Sequence, residues 1–70
     1  MITEIGIIAG EIWHYLDKRG EVTLAELVHG IDKPRDFTLM SLGWLAREGH
    51  VVVRVDAGGL RIGLRRRVNP

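Results

Sequence analysis

Five arginines in the second half of the chain are the side chains whose type and spacing could do chemistry. They are Arg35, Arg47, Arg54, Arg61 and Arg65. A guanidinium group stays charged at neutral pH, and its planar fork of N–H donors fits a phosphate or the edge of a guanine base. The chemistry that this set indicates is electrostatic binding of a nucleic acid rather than catalysis.

An uneven distribution of charge along the chain also favours an anionic partner. Residues 1–30 carry two basic and five acidic side chains, a net charge of −3, whereas residues 31–70 carry eight basic and four acidic side chains, a net charge of +4. Arg66 and Arg67 belong to this basic half. The alternative interpretation is an ordinary solvated surface, and the total charge of +1 does not decide between the two.

Features that an enzyme or a metal site requires are missing from the sequence. The chain has no cysteine, which excludes disulfides and thiolate ligands. His14, His29 and His50 fall in different predicted elements, without the spacing of metal ligands. Ser41 has no accompanying acid–base motif, and Gly58-Gly59 is not followed by the helix that a phosphate-binding loop requires. We therefore expect no enzymatic activity, no metal or other cofactor and no small-molecule substrate.

Length and hydropathy define the class of protein. Seventy residues suffice for one domain with one small core, and a hydrophobic content of 46% argues against disorder. The first four residues lack the basic region of a signal peptide, and no apolar run is long enough to span a membrane. We expect a cytoplasmic protein with no membrane partner.

Apolar residues recur at helical spacing near the start of the chain. The spacing predicts a helix from about residue 3 to residue 19, with Thr3 as its N-cap. Its buried stripe comprises Ile5, Ile8, Ala9, Ile12 and Leu16. Gly6 and Gly10 lie four residues apart beside this stripe, and we expect a tight contact with the protein's own strands to explain them. Ile7 falls outside the stripe.

Two further helices are predicted in the middle of the chain. After a brief strand, Thr23 and Glu26 form the capping-box pattern that begins a helix, and Gly30 is expected to stop it. Asp32 is expected to cap the next helix, which extends to about residue 48. Two helices joined by a short glycine-containing turn form a helix-turn-helix, whose second helix is the candidate for DNA recognition.

Apolar and polar residues alternate near the end of the sequence with the period of two that is typical of strands. Strands are predicted at residues 51–55 and 60–64, joined by a turn at residues 56–59. One face of this hairpin is expected to be covered, while the three arginines between positions 54 and 65 share a face open to solvent. We expect one domain at residues 1–66 and a frayed tail at residues 67–70.

The order of helix, short strand, two helices and hairpin resembles that of the winged helix-turn-helix superfamily over nearly the whole chain. Two segments further resemble the small stand-alone winged-helix proteins of prokaryotes that are grouped as a family of unknown function. These segments are Ile8-Ala9-Gly10-Glu11-Ile12-Trp13 and Leu42-Gly43-Trp44-Leu45-Ala46-Arg47-Glu48. The resemblance implies an α+β fold with three helices, a short strand and a C-terminal β-hairpin (the wing), together with dimerisation and DNA binding.

A second apolar stripe distinguishes the third helix from an ordinary DNA-recognition helix. Its core face is expected to comprise Thr38, Ser41, Leu42 and Leu45. The second stripe, formed by Phe37, Met40 and Trp44, has three explanations: ordinary core, a homodimer interface or a binding surface for another protein. Ile7 joins this stripe as a candidate interface residue.

These observations lead to two functional hypotheses. In the first, the protein is a DNA-binding and transcription-regulatory winged-helix homodimer with weak sequence specificity, and the five arginines contact the DNA. In the second, it is a protein-interaction or dimerisation module that uses the apolar stripe of the third helix and binds no nucleic acid. The wing tip at residues 56–59 lacks a basic side chain, which favours contacts with the phosphate backbone over reading of the sequence.

Overall fold

The computed structural model describes residues 1–65, in which three helices pack on one antiparallel sheet. The elements follow one another in the order α1 (Ile2–Arg19), β1 (Val22–Thr23), α2 (Leu24–Ile31), α3 (Arg35–Arg47), β2 (Val51–Asp56) and β3 (Gly59–Leu64). This order confirms the predicted α+β fold of three helices, a short strand and a C-terminal hairpin. Arg66, Arg67 and the predicted tail lie outside the described residues. None of the described helices is both long and apolar enough to cross a membrane.

The core lies where the three helices meet the sheet. Buried apolar side chains come from every element: Ile8, Ala9, Ile12, Leu16, Val22, Leu27, Ile31, Leu42, Leu45, Val51 and Ile62. The predicted core face of α3 is confirmed, including two buried hydroxyls. Each donates a hydrogen bond to a backbone carbonyl one turn earlier, Thr38 to Pro34 at 3.4 Å and Ser41 to Phe37 at 2.8 Å. Ser41 is thus a satisfied core residue.

Two predicted helix caps are wrong. The carbonyl of Met1 accepts a hydrogen bond from the N–H of Ile5, so α1 begins before Thr3 and has Met1 as its N-cap. Asp32 does not cap α3 but follows α2 in the left-handed conformation, with φ of 56°. Asp tolerates this conformation better than most residues, and the backbone there reverses direction before α3 begins after Pro34.

Gly30 lies inside α2 rather than at its end, which corrects the predicted boundary. A Cβ atom at this position would clash with Cε1 of the Tyr15 ring on α1. Glycine at this position leaves room for that ring, and any larger residue would require the ring to move. The beginning of α2 is as predicted: Thr23 and Glu26 form a complete capping box, with hydrogen bonds of 2.9 and 3.1 Å.

The sheet has the strand order β1-β3-β2, so β2 is an edge strand. The helix-to-strand junction before it depends on Gly49, which adopts φ of 80° while the N–H of His50 returns to the carbonyl of Leu45 at 2.9 Å. In the hairpin, Val53 pairs with Ile62 and Arg54 lies directly opposite Arg61. The hairpin turn is at the predicted position.

The predicted covered face of the hairpin is only partly correct. Val51 and Ile62 are buried, but Val53 is 41% exposed and Val55 is 79% exposed. The helices therefore cover the end of the hairpin nearest α3, and the other end projects beyond them. This projecting hairpin is the wing.

Candidate nucleic-acid interface

A concave surface of about 320 Å³ lies between the wing turn, the beginning of α2 and the beginning of α3. Its lining residues are Thr23, Leu24, Ala25, Arg35, Gly58, Gly59 and Leu60. Arg35 is the first residue of α3 and is exposed. No ion pair within residues 1–65 involves it. The site thus combines a concavity of mostly small and apolar residues with the guanidinium group of Arg35, which is unpaired in this part of the chain.

Arg54 on the wing is bound by a carboxylate from the acidic half of the chain. Its Nε and Nη2 atoms donate hydrogen bonds of 3.0 and 2.6 Å to the two carboxylate oxygens of Glu21. This bidentate contact lowers the pKa of the Glu21 carboxyl and raises the pKa of Arg54. Arg54 lies on the solvent face as predicted, but its charge is already compensated.

The charge of Arg61 is compensated by Asp56 at the wing turn. The Nε atom of Arg61 donates a hydrogen bond of 2.9 Å to Asp56, whose other oxygen accepts the N–H of Gly58 at 2.8 Å. The Gly58 N–H and the guanidinium together lower the pKa of Asp56. Arg61 also contributes to lowering the pKa of Glu26, after the cap hydrogen bonds from Thr23.

Glu21, Arg54, Asp56 and Arg61 together form a cluster with no net charge, which we call the wing charge cluster. The cluster weakens the argument for an anionic partner that was based on the uneven charge along the sequence, because Glu21 of the acidic half lies against Arg54 of the basic half. A second pair, between Glu11 and Lys33 at 3.3 Å, also joins the two halves. The fold therefore pairs acidic side chains of the first half of the chain with basic side chains of the second half.

The remaining arginines lie at the other end of α3. Arg47 is the last residue of this 13-residue helix, so it is about 18 Å from Arg35 along the helix axis. Arg65 follows β3, and its backbone N–H binds the carbonyl of His50 at 3.0 Å. The five predicted contact residues thus fall in three places: Arg35 at the concavity, two arginines on the wing and two near the α3–β2 junction.

The second apolar stripe of α3 is mostly exposed. Met40 is 46% exposed and Trp44 is 48% exposed, so the core explanation is wrong for both, whereas Phe37 is half-buried and packs against the core. Ile7 on α1 is 57% exposed. We call the set Ile7, Phe37, Met40 and Trp44 the α1–α3 apolar surface.

Two grooves mark the α1–α3 apolar surface. One has a volume of about 260 Å³ and lies between Trp44 and the residues Ile2, Ile5 and Gly6 of α1. The other has a volume of about 320 Å³. It is lined by Glu4, Ile7, Ile8, Lys33, Pro34 and Phe37. The stripe therefore borders α1 at two separate places.

The expected explanation of Gly6 and Gly10 is also wrong. Among residues 1–65, a Cβ atom at either position would meet nothing within 4 Å, so none of the described strands packs against them. Gly6 instead borders the groove beside Trp44. Within residues 1–65, no group of three or more His, Asp or Glu side chains is placed to hold a metal ion.

Comparisons with known proteins agree with the fold. Residues 1–64 match a protein family described as a winged helix-turn-helix domain (DUF2582). The solution NMR structure of the protein BT2368 from Bacteroides thetaiotaomicron superimposes with a TM-score of 0.78 and is 31% identical in sequence. The match covers 89% of this chain and 76% of that protein. No curated protein matches the sequence.

Proposed function

Because this chain belongs to the winged helix-turn-helix family DUF2582, and this fold commonly binds DNA, we propose that it binds duplex DNA as a homodimer. We further propose that the binding is weakly sequence-specific and serves transcription regulation. In DNA-binding helix-turn-helix domains, the N-terminal residues of the second helix enter the major groove. The corresponding helix here is α3.

The position of Arg35 carries this proposal. It is the first residue of α3, it borders the concavity beside the wing turn, and it has no ion-pair partner within residues 1–65. An arginine without a carboxylate partner can bind a phosphate or a guanine without first giving up an internal contact. We therefore place the leading DNA contact at Arg35.

Weak specificity follows from the residues that α3 exposes. Its polar surface consists of Arg35, Asp36, Gly43 and Arg47, with Glu48 directly after it. Asp36 and Glu48 repel phosphates, and Gly43 has no side chain with which to contact a base. This leaves two arginines per helix at opposite ends. Contacts with the backbone then outnumber contacts with base edges, and such contacts carry little sequence information.

The other arginines have secondary roles in this proposal. Arg47 and Arg65 supply phosphate contacts at the far end of α3. Arg54 and Arg61 supply contacts from the wing, where each first has to exchange its carboxylate partner for a phosphate. All five predicted arginines are kept as contacts, with unequal weight.

The α1–α3 apolar surface supports the homodimer. Large apolar side chains that are about half exposed, above all tryptophan and methionine, are enriched in protein interfaces. Two-fold pairing is the commonest assembly of small soluble domains, and it brings the same surface of each copy together. A dimer also doubles the number of phosphate contacts. Ile7, Phe37, Met40 and Trp44 are the proposed interface residues.

Comparison of Arg35→Ala with Lys18→Ala tests the DNA contact. Both variants lose one positive charge, but Lys18 lies on α1 and lines a different groove. We expect Arg35→Ala to weaken binding to a fluorescent duplex and to reduce the salt dependence by about 1 per lost phosphate contact. Lys18→Ala should bind like the parent. Equal effects of the two variants would contradict a leading role for Arg35.

The exposure of Met40 and Trp44 favours a second candidate function, a protein-interaction module that binds no DNA. In this alternative the same apolar surface receives another protein, and the arginines only keep the surface soluble. It predicts that the parent protein shows no affinity for duplex DNA even at about 50 mM salt, where phosphate contacts are strongest.

A further inference from the structure

We propose that Glu21 and Asp56 weaken the binding of DNA by the wing, because they hold Arg54 and Arg61 in internal ion pairs that DNA phosphates must displace. We call this effect the restraint of the wing arginines. This inference rests on the proposed DNA-binding function and specifies how the wing takes part in it. The wing charge cluster then sets how much of the affinity comes from the wing. The acidic side chains limit that contribution, whereas Arg35, Arg47 and Arg65 have no ion-pair partner within residues 1–65.

The geometry of the cluster indicates that the two carboxylates bind the wing arginines in the place of DNA phosphates. Glu21 presents both oxygens to two nitrogens of Arg54, at 3.0 and 2.6 Å, which is the bidentate arrangement that a phosphate would also make. Asp56 engages Arg61 through one oxygen at 2.9 Å. Glu21 therefore occupies two donors of Arg54 that a phosphate would use. Asp56, in contrast, occupies only the Nε donor of Arg61.

The strand register explains why these carboxylates are required at the wing. Arg54 and Arg61 lie directly opposite each other on β2 and β3. Like charges at directly opposed positions destabilise a pair of strands. Glu21 and Asp56 compensate this repulsion from the two sides. Without them, the face would carry two adjacent uncompensated positive charges, each able to neutralise a phosphate.

The restraint is partial rather than complete because the pairs are exposed. The side chains of Arg54 and Glu21 are 54% and 41% exposed, and those of Arg61 and Asp56 are similarly accessible. Ion pairs open to water have small net free energies, so a phosphate can displace the carboxylates. We therefore expect each pair to reduce DNA affinity by up to about fivefold, and the two pairs of one chain together by up to about twenty-five-fold.

Isosteric amide variants remove the restraint while preserving the local structure. Glu21→Gln and Asp56→Asn each remove one negative charge, and the amide oxygen that Asp56→Asn leaves in place can still accept the N–H of Gly58. The matched control is Glu4→Gln combined with Glu11→Gln, which removes two carboxylates from the other two ion pairs described in residues 1–65. Both double variants have the same net charge, so their comparison separates the cluster from a general charge effect. Circular dichroism establishes that each variant is folded.

The test is titration of a fluorescent 20-base-pair duplex at 50 and 200 mM KCl. Support for the inference would be tighter binding by the Glu21→Gln/Asp56→Asn protein than by the parent and the control, with a salt dependence steeper by about 0.9 per freed arginine. Equal binding by the two double variants overturns it and leaves the proposed function intact. If the parent does not bind but the Glu21→Gln/Asp56→Asn protein does, the inference stands and the proposed function fails. If neither binds, both fail.

Arg54→Ala provides a second measurement, made once in the parent protein and once in the Glu21→Gln background. We expect this substitution to lower affinity more in the Glu21→Gln background than in the parent, because only a freed guanidinium makes its full contact. The difference between the two effects measures the coupling of Glu21 to Arg54 in DNA binding. Equal losses in both backgrounds overturn the inference.

Discussion

The guanidinium of Arg54 binds the carboxylate of Glu21, 33 residues earlier in the chain, through two hydrogen bonds of 3.0 and 2.6 Å. Because β3 lies between β1 and β2, this contact spans the sheet from the edge strand β2 to the residue just before β1. It joins the wing to the body of the domain and neutralises a side chain that the sequence offers for DNA binding.

Acid should lower the thermal stability of the protein by protonating the carboxylates of the wing charge cluster. The folded protein lowers the pKa of Glu21, chiefly through Arg54, and that of Asp56, chiefly through the Gly58 N–H. A carboxyl with a lowered pKa stabilises the fold fully above its unfolded pKa of about 4 and loses that contribution as the pH falls through the folded value. We expect the thermal midpoint, followed by circular dichroism, to be level between pH 7 and 5 and to fall below about pH 4.

The Glu21→Gln/Asp56→Asn protein is the control for that measurement. Glu4 and Glu26 also have lowered pKa values, through the terminal ammonium and the Thr23 cap respectively, and they titrate in both proteins. The parent should therefore lose more thermal stability than the variant between pH 5 and 2.5. Identical losses would show that the wing charge cluster contributes nothing to stability.

Gly30→Ala should destabilise the protein even though alanine favours helices. The new Cβ would clash with the Tyr15 ring, and overpacking of this kind costs about 1–3 kcal/mol. The gain in helix propensity offsets about 1 kcal/mol of this cost. We expect a net loss in the free energy of unfolding, measured in urea at one protein concentration.

Gly10→Ala is the matched substitution, because it is also a glycine within a helix but has no neighbour within 4 Å. It should raise the stability of the isolated chain by about 0.5–1 kcal/mol. The opposite order of the two variants would contradict the described packing of α2 on α1.

Trp44→Ala should dissociate the proposed homodimer while leaving the domain folded. Trp44 is 48% exposed and lies outside the core cluster, so its removal should cost the fold little. Sedimentation equilibrium should give the parent twice the 7.9 kDa mass of one chain and give the variant a single-chain mass. Val55→Ala, at an exposed position on the wing, should remain dimeric. A parent that is monomeric at high concentration would remove the dimer from the account.

Local patterns in the sequence predicted most of the fold. The Thr23–Glu26 capping box, the α1 stripe and the alternation of the hairpin each reflect contacts between residues that are close along the chain. The predictions failed where distant segments meet. Gly30 resembles a helix stop until the Tyr15 ring is seen against it, and Gly6 suggests an internal contact that is not present.

The candidate site was predicted less completely, for the same physical reason. The five arginines could be identified, but their availability depends on partners that the fold brings to them. The pairing of Asp56 with Arg61 has a local signal, since both flank one tight turn. The pairing of Glu21 with Arg54 has none, because it depends on how β1 is aligned with β3. Met40 and Trp44 likewise form a periodic stripe whether a helix buries or exposes them.

The salt dependence of binding to duplex DNA tests the central claim most directly. With the wing arginines restrained, Arg35, Arg47 and Arg65 give six phosphate contacts per homodimer. The expected slope of log Kobs against log salt is then about −5, and affinity should fall about 1,000-fold between 50 and 200 mM salt. A fluorescence titration of the parent protein with a 20-base-pair duplex measures both quantities. Absence of binding at 50 mM salt, or binding that does not change with salt, would contradict the account.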